Sequence, residues 1–129
     1  KEKLMILKFQ DMVAVESFIQ QHATDKMPVS AAFKLNKILR AISGDLQFFR
    51  DRYTTLLQAC GEKDDNGELV VLENGNYKIK DEKTFEKGVK EIMDEEVVYN
   101  DLSCVKLADL QDIQISIAEL SAVMPIIEE

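Results

Sequence analysis

The sequence predicts an α+β fold dominated by helix, and three observations carry that prediction. Apolar and aromatic residues recur at Leu35, Leu39, Ile42, Leu46, Phe49, Tyr53, Leu56 and Cys60, alternating steps of four and three without a slip. That is the 3.5-residue period of a long, packed helix. Behind it, residues 61–82 carry two turn signals, Asp65-Asn66-Gly67 and Asn74-Gly75, between short β-prone runs. A second amphipathic helical pattern follows, with Phe85, Val89, Ile92 and Met93 on one face. The long helix, the β-hairpin and the second helix are therefore expected to pack antiparallel, beside a small sheet formed by the N-terminal strand and the 95–107 segment.

Taken in order, residues 3–9 (KLMILKF) are short and mostly apolar, which suits a buried strand. Asp11 is placed to cap a helix over 12–22, whose Met12, Val15, Phe18 and Ile19 share a face. Residues 23–27 connect, and Pro28 suits the first turn of the long helix, 29–60, where its missing N–H is not needed. Ile38, Leu57 and either Phe33 or Phe48 widen its stripe, Gly44 lies opposite, and Gly61 is expected to close it as a left-handed cap. The hairpin strands are expected near 68–73 and 77–80, joined by a type I′ turn at Asn74-Gly75.

Asp81 is a ready N-cap for a helix over 82–94, whose Lys83, Glu86, Lys87, Lys90 and Glu91 make an ordinary solvated face. Residues 95–107 read as one or two strands, EEVVY and SCVKL, around a turn at Asn100-Asp101. Ser116-Ile117-Ala118-Glu119 is a capping box that opens a last short helix ending near Pro125. No internal repeat, low-complexity tract or linker stands out, so a single domain over 1–129 is the expectation.

The 129 residues carry a formal charge of −8, unevenly spread. Through Leu57 there are nine Lys and Arg against six Asp and Glu; from Gln58 onward there are seven against eighteen. The acidic half repels a phosphate backbone, so direct nucleic-acid binding is disfavoured and a basic protein partner is favoured. No apolar run approaches the roughly 20 residues of a membrane span, and no leader pattern opens the sequence. Cys60 and Cys104 lack the spacing of a zinc site or a disulfide framework, which fits a reducing, cytoplasmic setting.

Residues that could carry chemistry are few. From Glu62 to Glu73 the chain partly matches a calcium loop, with Asp64, Asn66 and Glu73 at ligand positions. Glu62 stands where the tight loop needs the shorter Asp, and Glu73 falls in an expected strand, so a polar loop entering a hairpin uses the same residues. His22 is the one histidine and is expected to face solvent or cap its helix, with no nucleophile offered as its partner. No phosphate-binding glycine motif occurs, and no cofactor is indicated. An enzyme is not expected.

MPVSAAFKLNKILRAI, then CGEKDDNGELVVLENGNYKIKDEKTFEKGVKEIMDEEV, then ISIAELSAVMPIIEE resembles a family of small uncharacterised proteins encoded by tailed phages and prophages of Gram-positive bacteria. The likeness covers about residues 25–129. Pro28, Phe33, Lys34, Leu35 and Lys37 match its helix signature. Gly61 to Asp64, Gly67 and Asn74 to Tyr77 match its hairpin, and Ala118, Glu119 and Leu120 match its closing helix. The resemblance implies a phage origin and carries no mechanism.

The functional expectation is a non-enzymatic phage accessory protein acting through protein–protein contact in the host cytoplasm or on the virion, with itself or with a host factor. Self-association as a homo-oligomer would cover any uncovered length of the heptad stripe. Contact with a basic partner is expected to use Glu95, Glu96, Asp101, Asp109 and Asp112, which only Lys106 offsets within their segment. The alternative is a small metal- or ligand-binding module built on the 62–73 loop.

Overall fold

The heptad period becomes one helix: α2 runs from Val29 to Cys60 in a computed structural model that describes residues 3–129. Its elements in chain order are β1 (Met5–Leu7), α1 (Phe9–Gln21), α2, α3 (Glu82–Asp94), β2 (Val97–Tyr99), β3 (Val105–Lys106), α4 (Ile117–Val123) and β4 (Ile127–Glu128). Two 3₁₀ turns, Leu107–Leu110 and Met124–Ile126, flank α4. The chain divides into two compact units, one of Lys1–Leu46 with Glu95–Glu129, the other of Gln47–Asp94.

In the first unit β1 pairs antiparallel with β2, Met5 opposite Tyr99, Ile6 opposite Val98 and Leu7 opposite Val97. This is the small sheet expected from the N-terminal strand and the 95–107 segment. The alternation of the strands sorts their side chains: Met5, Leu7 and Tyr99 are buried, while Leu4, Ile6 and Val98 face outward. Met12, Val15 and Phe18 of α1 and Ala31, Leu35, Ile38, Ile42 and Leu46 of α2 are buried too. β3 pairs with β4 in parallel, Val105 opposite Ile127, a pairing absent from the expectation of a terminal helix. Pro125 sits in the 3₁₀ turn that ends α4 and sends Ile126 and Ile127 into the core. Lys3 Nζ donates to the carbonyls of Met124 (2.9 Å) and Ile127 (3.2 Å), which ties the start of β1 to this C-terminal segment.

The first helix starts earlier than expected. Lys8, not Asp11, is its N-cap residue, and Asp11 at the third helical position accepts a hydrogen bond from the Lys8 N–H at 2.9 Å. The capping carboxylate was legible but its position was shifted, because a carboxylate can satisfy helix N–H groups from the cap or from one turn in.

In the second unit α3 lies along the C-terminal part of α2, with the Tyr53 and Phe85 rings edge to face at 5.9 Å. Gly88 permits this approach: a Cβ there would stand 2.6 Å from a Leu56 methyl. Phe49, Leu57, Cys60 and Ile92 are buried, whereas Tyr53 is 39 % exposed. The stripe is thus shared between two cores, and Leu39, Ile42 and Leu46 belong to the first unit rather than to the α3 pairing. Phe33 and Phe48, expected to widen the stripe, are both exposed.

The 61–80 segment is more than a hairpin. Residues 61–63, 69–71 and 77–79 form bridges Lys63 to Leu69, Val71 to Tyr77 and Gly61 to Ile79, so each short segment meets both others. Val70 N–H donates to Glu62 C=O, Lys78 N–H to Val70 C=O and Glu62 N–H to Lys78 C=O, each at 2.9 Å, a closed ring of backbone hydrogen bonds. Its members are eight residues apart, and the two turns repeat at the same interval. Asp64-Asp65-Asn66-Gly67-Glu68 and Leu72-Glu73-Asn74-Gly75-Asn76 each close with the first N–H on the last C=O. In both, only the glycine has positive φ, Gly67 at 80° and Gly75 at 87°. This is a three-residue loop ending in a left-handed glycine and not the expected type I′ turn, which would need positive φ at Asn74 as well. Asn74 serves instead through its side chain, accepting from Asn76 N–H at 3.0 Å.

The ring also terminates both helices. Cys60 C=O, left unpaired at the end of α2, accepts from Lys80 N–H (2.8 Å) and Asp81 N–H (3.1 Å), and Asp81 Oδ1 then accepts from Thr84 N–H to open α3. Gly61 is not the expected left-handed cap, since its φ is not positive. It is glycine because a Cβ would lie 2.5 Å from the Leu69 side chain and 2.7 Å from Leu57 C=O.

Leu46 is fully buried, so Leu46→Ala is expected to cost about 2–5 kcal/mol in denaturant unfolding. Gly75→Val forces a β-branched residue into the left-handed region and is expected to cost about 1–3 kcal/mol and to speed amide exchange at Leu72. Asn74→Ala removes one exposed hydrogen bond and should cost about 0.5–1.5 kcal/mol in the same measurement.

Candidate functional site

Two features of the first unit bring charged groups together. The first is a histidine held between two carboxylates. His22 ends α1 as its C-cap residue and is buried against the Phe18 ring, 4.6 Å between centroids. Its Nδ1 lies 2.5 Å from Asp25 Oδ2 and its Nε2 lies 2.7 Å from Glu119 Oε2. Only the imidazolium can donate to both, since the neutral ring would turn a lone pair toward one carboxylate. Burial of the ring draws its pKa down, but the hydrogen bonds to Asp25 and Glu119 and their charges more than offset this, and the net shift is upward from 6.5. The hydrogen bond from His22 and that from Ser116 N–H hold Glu119 below the usual carboxylate range.

Glu119 has two tasks. Its Oε1 accepts from Ser116 N–H while Ser116 Oγ accepts from Glu119 N–H, the capping box expected from the sequence. The second carboxylate oxygen is left free to reach His22, and so the end of α1 is clamped to the start of α4. Of the two places expected for His22, the structure has the helix cap and not the solvent-facing one, and it adds a buried tie to α4. With both nitrogens engaged, it has none to offer as a general base, and because they point in opposite directions the two carboxylates and the ring cannot share one metal ion.

Asp25 also borders an open groove of about 590 Å³ whose other walls are Lys26, Met27, Pro28, Asp112, Ile113 and Gln114. Asp112 thereby lines the same groove as the clamp's own carboxylate. Glu95, Glu96 and Asp101 are exposed around β2, and Asp109 is half-buried in the Leu107–Leu110 turn. No ion pair among the described residues involves any of these five. Asp45 of α2 accepts from the Tyr99 hydroxyl at 2.6 Å, so β2 is anchored, and burial followed by this bond pushes the phenol pKa up.

The 62–73 loop does not assemble as a calcium site would. Asp64 Oδ1 accepts from Asn66 N–H (2.8 Å) and Glu68 N–H (3.0 Å), Asn66 is part of the same turn, and Glu73 belongs to the next turn of the ring. Among the described residues no group of three or more His, Cys, Asp or Glu side chains is placed to hold a metal. No helix among them is long and apolar enough to cross a membrane. Comparison of the chain with protein-family models, curated proteins and solved structures gives no match.

The clamp sets a pH dependence. His22 has a raised folded pKa, so its contribution to stability is full below 6.5 and is lost as pH rises through the raised value. Glu119 has a lowered one, so its contribution is present above 4.5 and is lost as pH falls through the lowered value. Unfolding midpoints are expected to be highest between these two limits and to fall on the alkaline side. Glu119→Gln, which keeps an acceptor for Ser116 N–H but removes the charge, should flatten the alkaline fall. An unchanged slope would mean His22 is not the titrating group.

Proposed function

We propose that this chain is a non-enzymatic accessory protein of phage origin that works by protein–protein contact with a basic partner in the host cytoplasm. The observation that carries the reading is the set Glu95, Glu96, Asp101, Asp109 and Asp112, five carboxylates in eighteen residues with one lysine among them and no ion pair among the described residues to neutralise them. Like charges so close raise a self-repulsion that a basic surface relieves, and they steer such a surface inward. The phage origin rests on the resemblance of the three sequence segments. Self-assembly through the α2 stripe is the weaker form of the reading, because Leu35, Ile38, Ile42, Leu46, Phe49 and Cys60 are already buried within one copy.

The test is affinity capture with the tagged chain at low and high salt, beside a variant carrying Glu95→Gln, Glu96→Gln and Asp101→Asn. A specifically captured basic protein should be lost at high salt, and the variant should associate several-fold more slowly with little change in fold stability. Equal capture of the same protein under all four conditions would exclude the electrostatic account.

A further inference from the structure

We infer that the outer edge of β2 is a docking site for an extended segment that alternates basic and apolar residues and adds as a third strand beside Val97–Tyr99. The inference rests on the reading above and names the form in which the basic partner presents itself. β2 has one neighbour, β1, and no backbone hydrogen bond among the described residues reaches its other edge. Strand pairing leaves alternate N–H and C=O groups on that edge directed away from β1. At β1 the chain's own C-terminal segment is close, with Lys3 Nζ on Met124 and Ile127 carbonyls and the Cys104 thiol on Lys3 C=O. The open edge is therefore the β2 one.

The residues of β2 do not guard it. Within the strand no lysine, proline or bulge blocks pairing, since it is Val-Val-Tyr throughout, and what protection the edge has lies in its shortness and in the carboxylates at its two ends. Its Tyr99 hydroxyl donates to Asp45, which ties the end of the strand to α2. On its outward side Val98 stands directly across from Ile6, with Leu4 next along β1, all three exposed. An added strand would extend that apolar row with every second side chain, the arrangement by which strand addition gains specificity.

Charge selects the occupant. Glu95 and Glu96 stand before the strand and Asp101 shortly after it, all exposed and outside every ion pair among the described residues. Edge-to-edge pairing with a second copy, run antiparallel, would bring the glutamates of one strand against Asp101 of the other, a like-charge contact that disfavours self-pairing. A strand with lysine or arginine at alternate positions meets these carboxylates with opposite charge and offers apolar residues to Val98, continuing the row that Ile6 begins.

The probe is a capped peptide of alternating lysine and valine, compared with two versions N-methylated on one or the other alternate set of amides. Calorimetry is run with each, and amide exchange is followed at Val97–Tyr99. The parent peptide should bind at low salt and slow exchange in β2. One methylated version, whose blocked amides face β2, should bind about tenfold more weakly or worse at equal charge, and the other should bind like the parent. Val98→Lys, at an exposed position, should weaken the parent peptide without loss of fold. Equal binding by all three peptides with no change at β2 would overturn strand addition and leave the electrostatic reading standing. Binding by none of them at low salt would overturn both. Sedimentation as a dimer, with β2 amides protected before any peptide is added, would assign the edge to a second copy and overturn the inference as well.

Discussion

Each core in this protein is built on a length of the α2 stripe, and the other elements are shaped by the need to cover it. In the first unit Ala31, Leu35, Ile38, Ile42 and Leu46 are buried; in the second, Phe49, Leu57 and Cys60. A stripe of 3.5-residue period stays on one side of a helix only over a few turns before it drifts. The buried positions record the drift: Ile38 lies deeper than Leu39, and Tyr53 is left 39 % exposed where an unbroken seam would bury it. Covering so long a stripe within 129 residues takes separate sets of short elements. Such elements have few internal hydrogen bonds, which explains why caps and backbone ties carry so much of the connection between them.

What was legible in the sequence is what local rules govern. The bounds of α2 and α3, the Asp81 cap and the Ser116 box follow from periodicity and from contacts three or four residues apart, and the structure has them where the sequence put them. The β1–β2 pairing was legible only as a small sheet of the N-terminal strand with the 95–107 segment, and the structure gives the EEVVY part of that segment to β1 and the SCVKL part to a separate sheet. The β3–β4 pairing was not, because two-residue strands carry no period and Pro125 reads as a helix end. The hydrogen-bonded ring escaped notice for a different reason. Its eight-residue repeat is marked in the sequence by the Asn-Gly pairs at 66–67 and 74–75 alone, and two turn signals read as separate hairpin loops do not reveal the backbone pairing of three segments.

The candidate site divides in the same way. The excess of carboxylates in the C-terminal half is a property of composition and could be read directly. The His22 clamp could not, since Glu119 lies 97 residues from its partner and was already explained by a local capping role. One signal was available: a capping-box glutamate has a second oxygen, and the one histidine in the chain stands three residues before Asp25. Neither fact points to the other until α1 and α4 are brought together. In the 62–73 loop the spacing of ligands and the needs of a turn overlap, and the Asp64 carboxylate is engaged by the backbone N–H groups of its own turn.

The division of the chain into a continuous unit and a split one has a consequence for synthesis on the ribosome. Gln47–Asp94 is uninterrupted, and its ring joins residues that are eight or sixteen apart, contacts of low sequence separation that close quickly. It can be complete once Asp94 has left the exit tunnel. The other unit needs β2, β3, α4 and β4, so Met5, Leu7, Met12 and Val15 must wait through the translation of the whole middle of the chain before their partners exist. During that wait the nascent chain exposes an apolar N-terminal segment. The interval in which it most needs protection by a chaperone, or is most open to capture by another chain, therefore ends with the emergence of residues 95–129 rather than with the folding of the long helix.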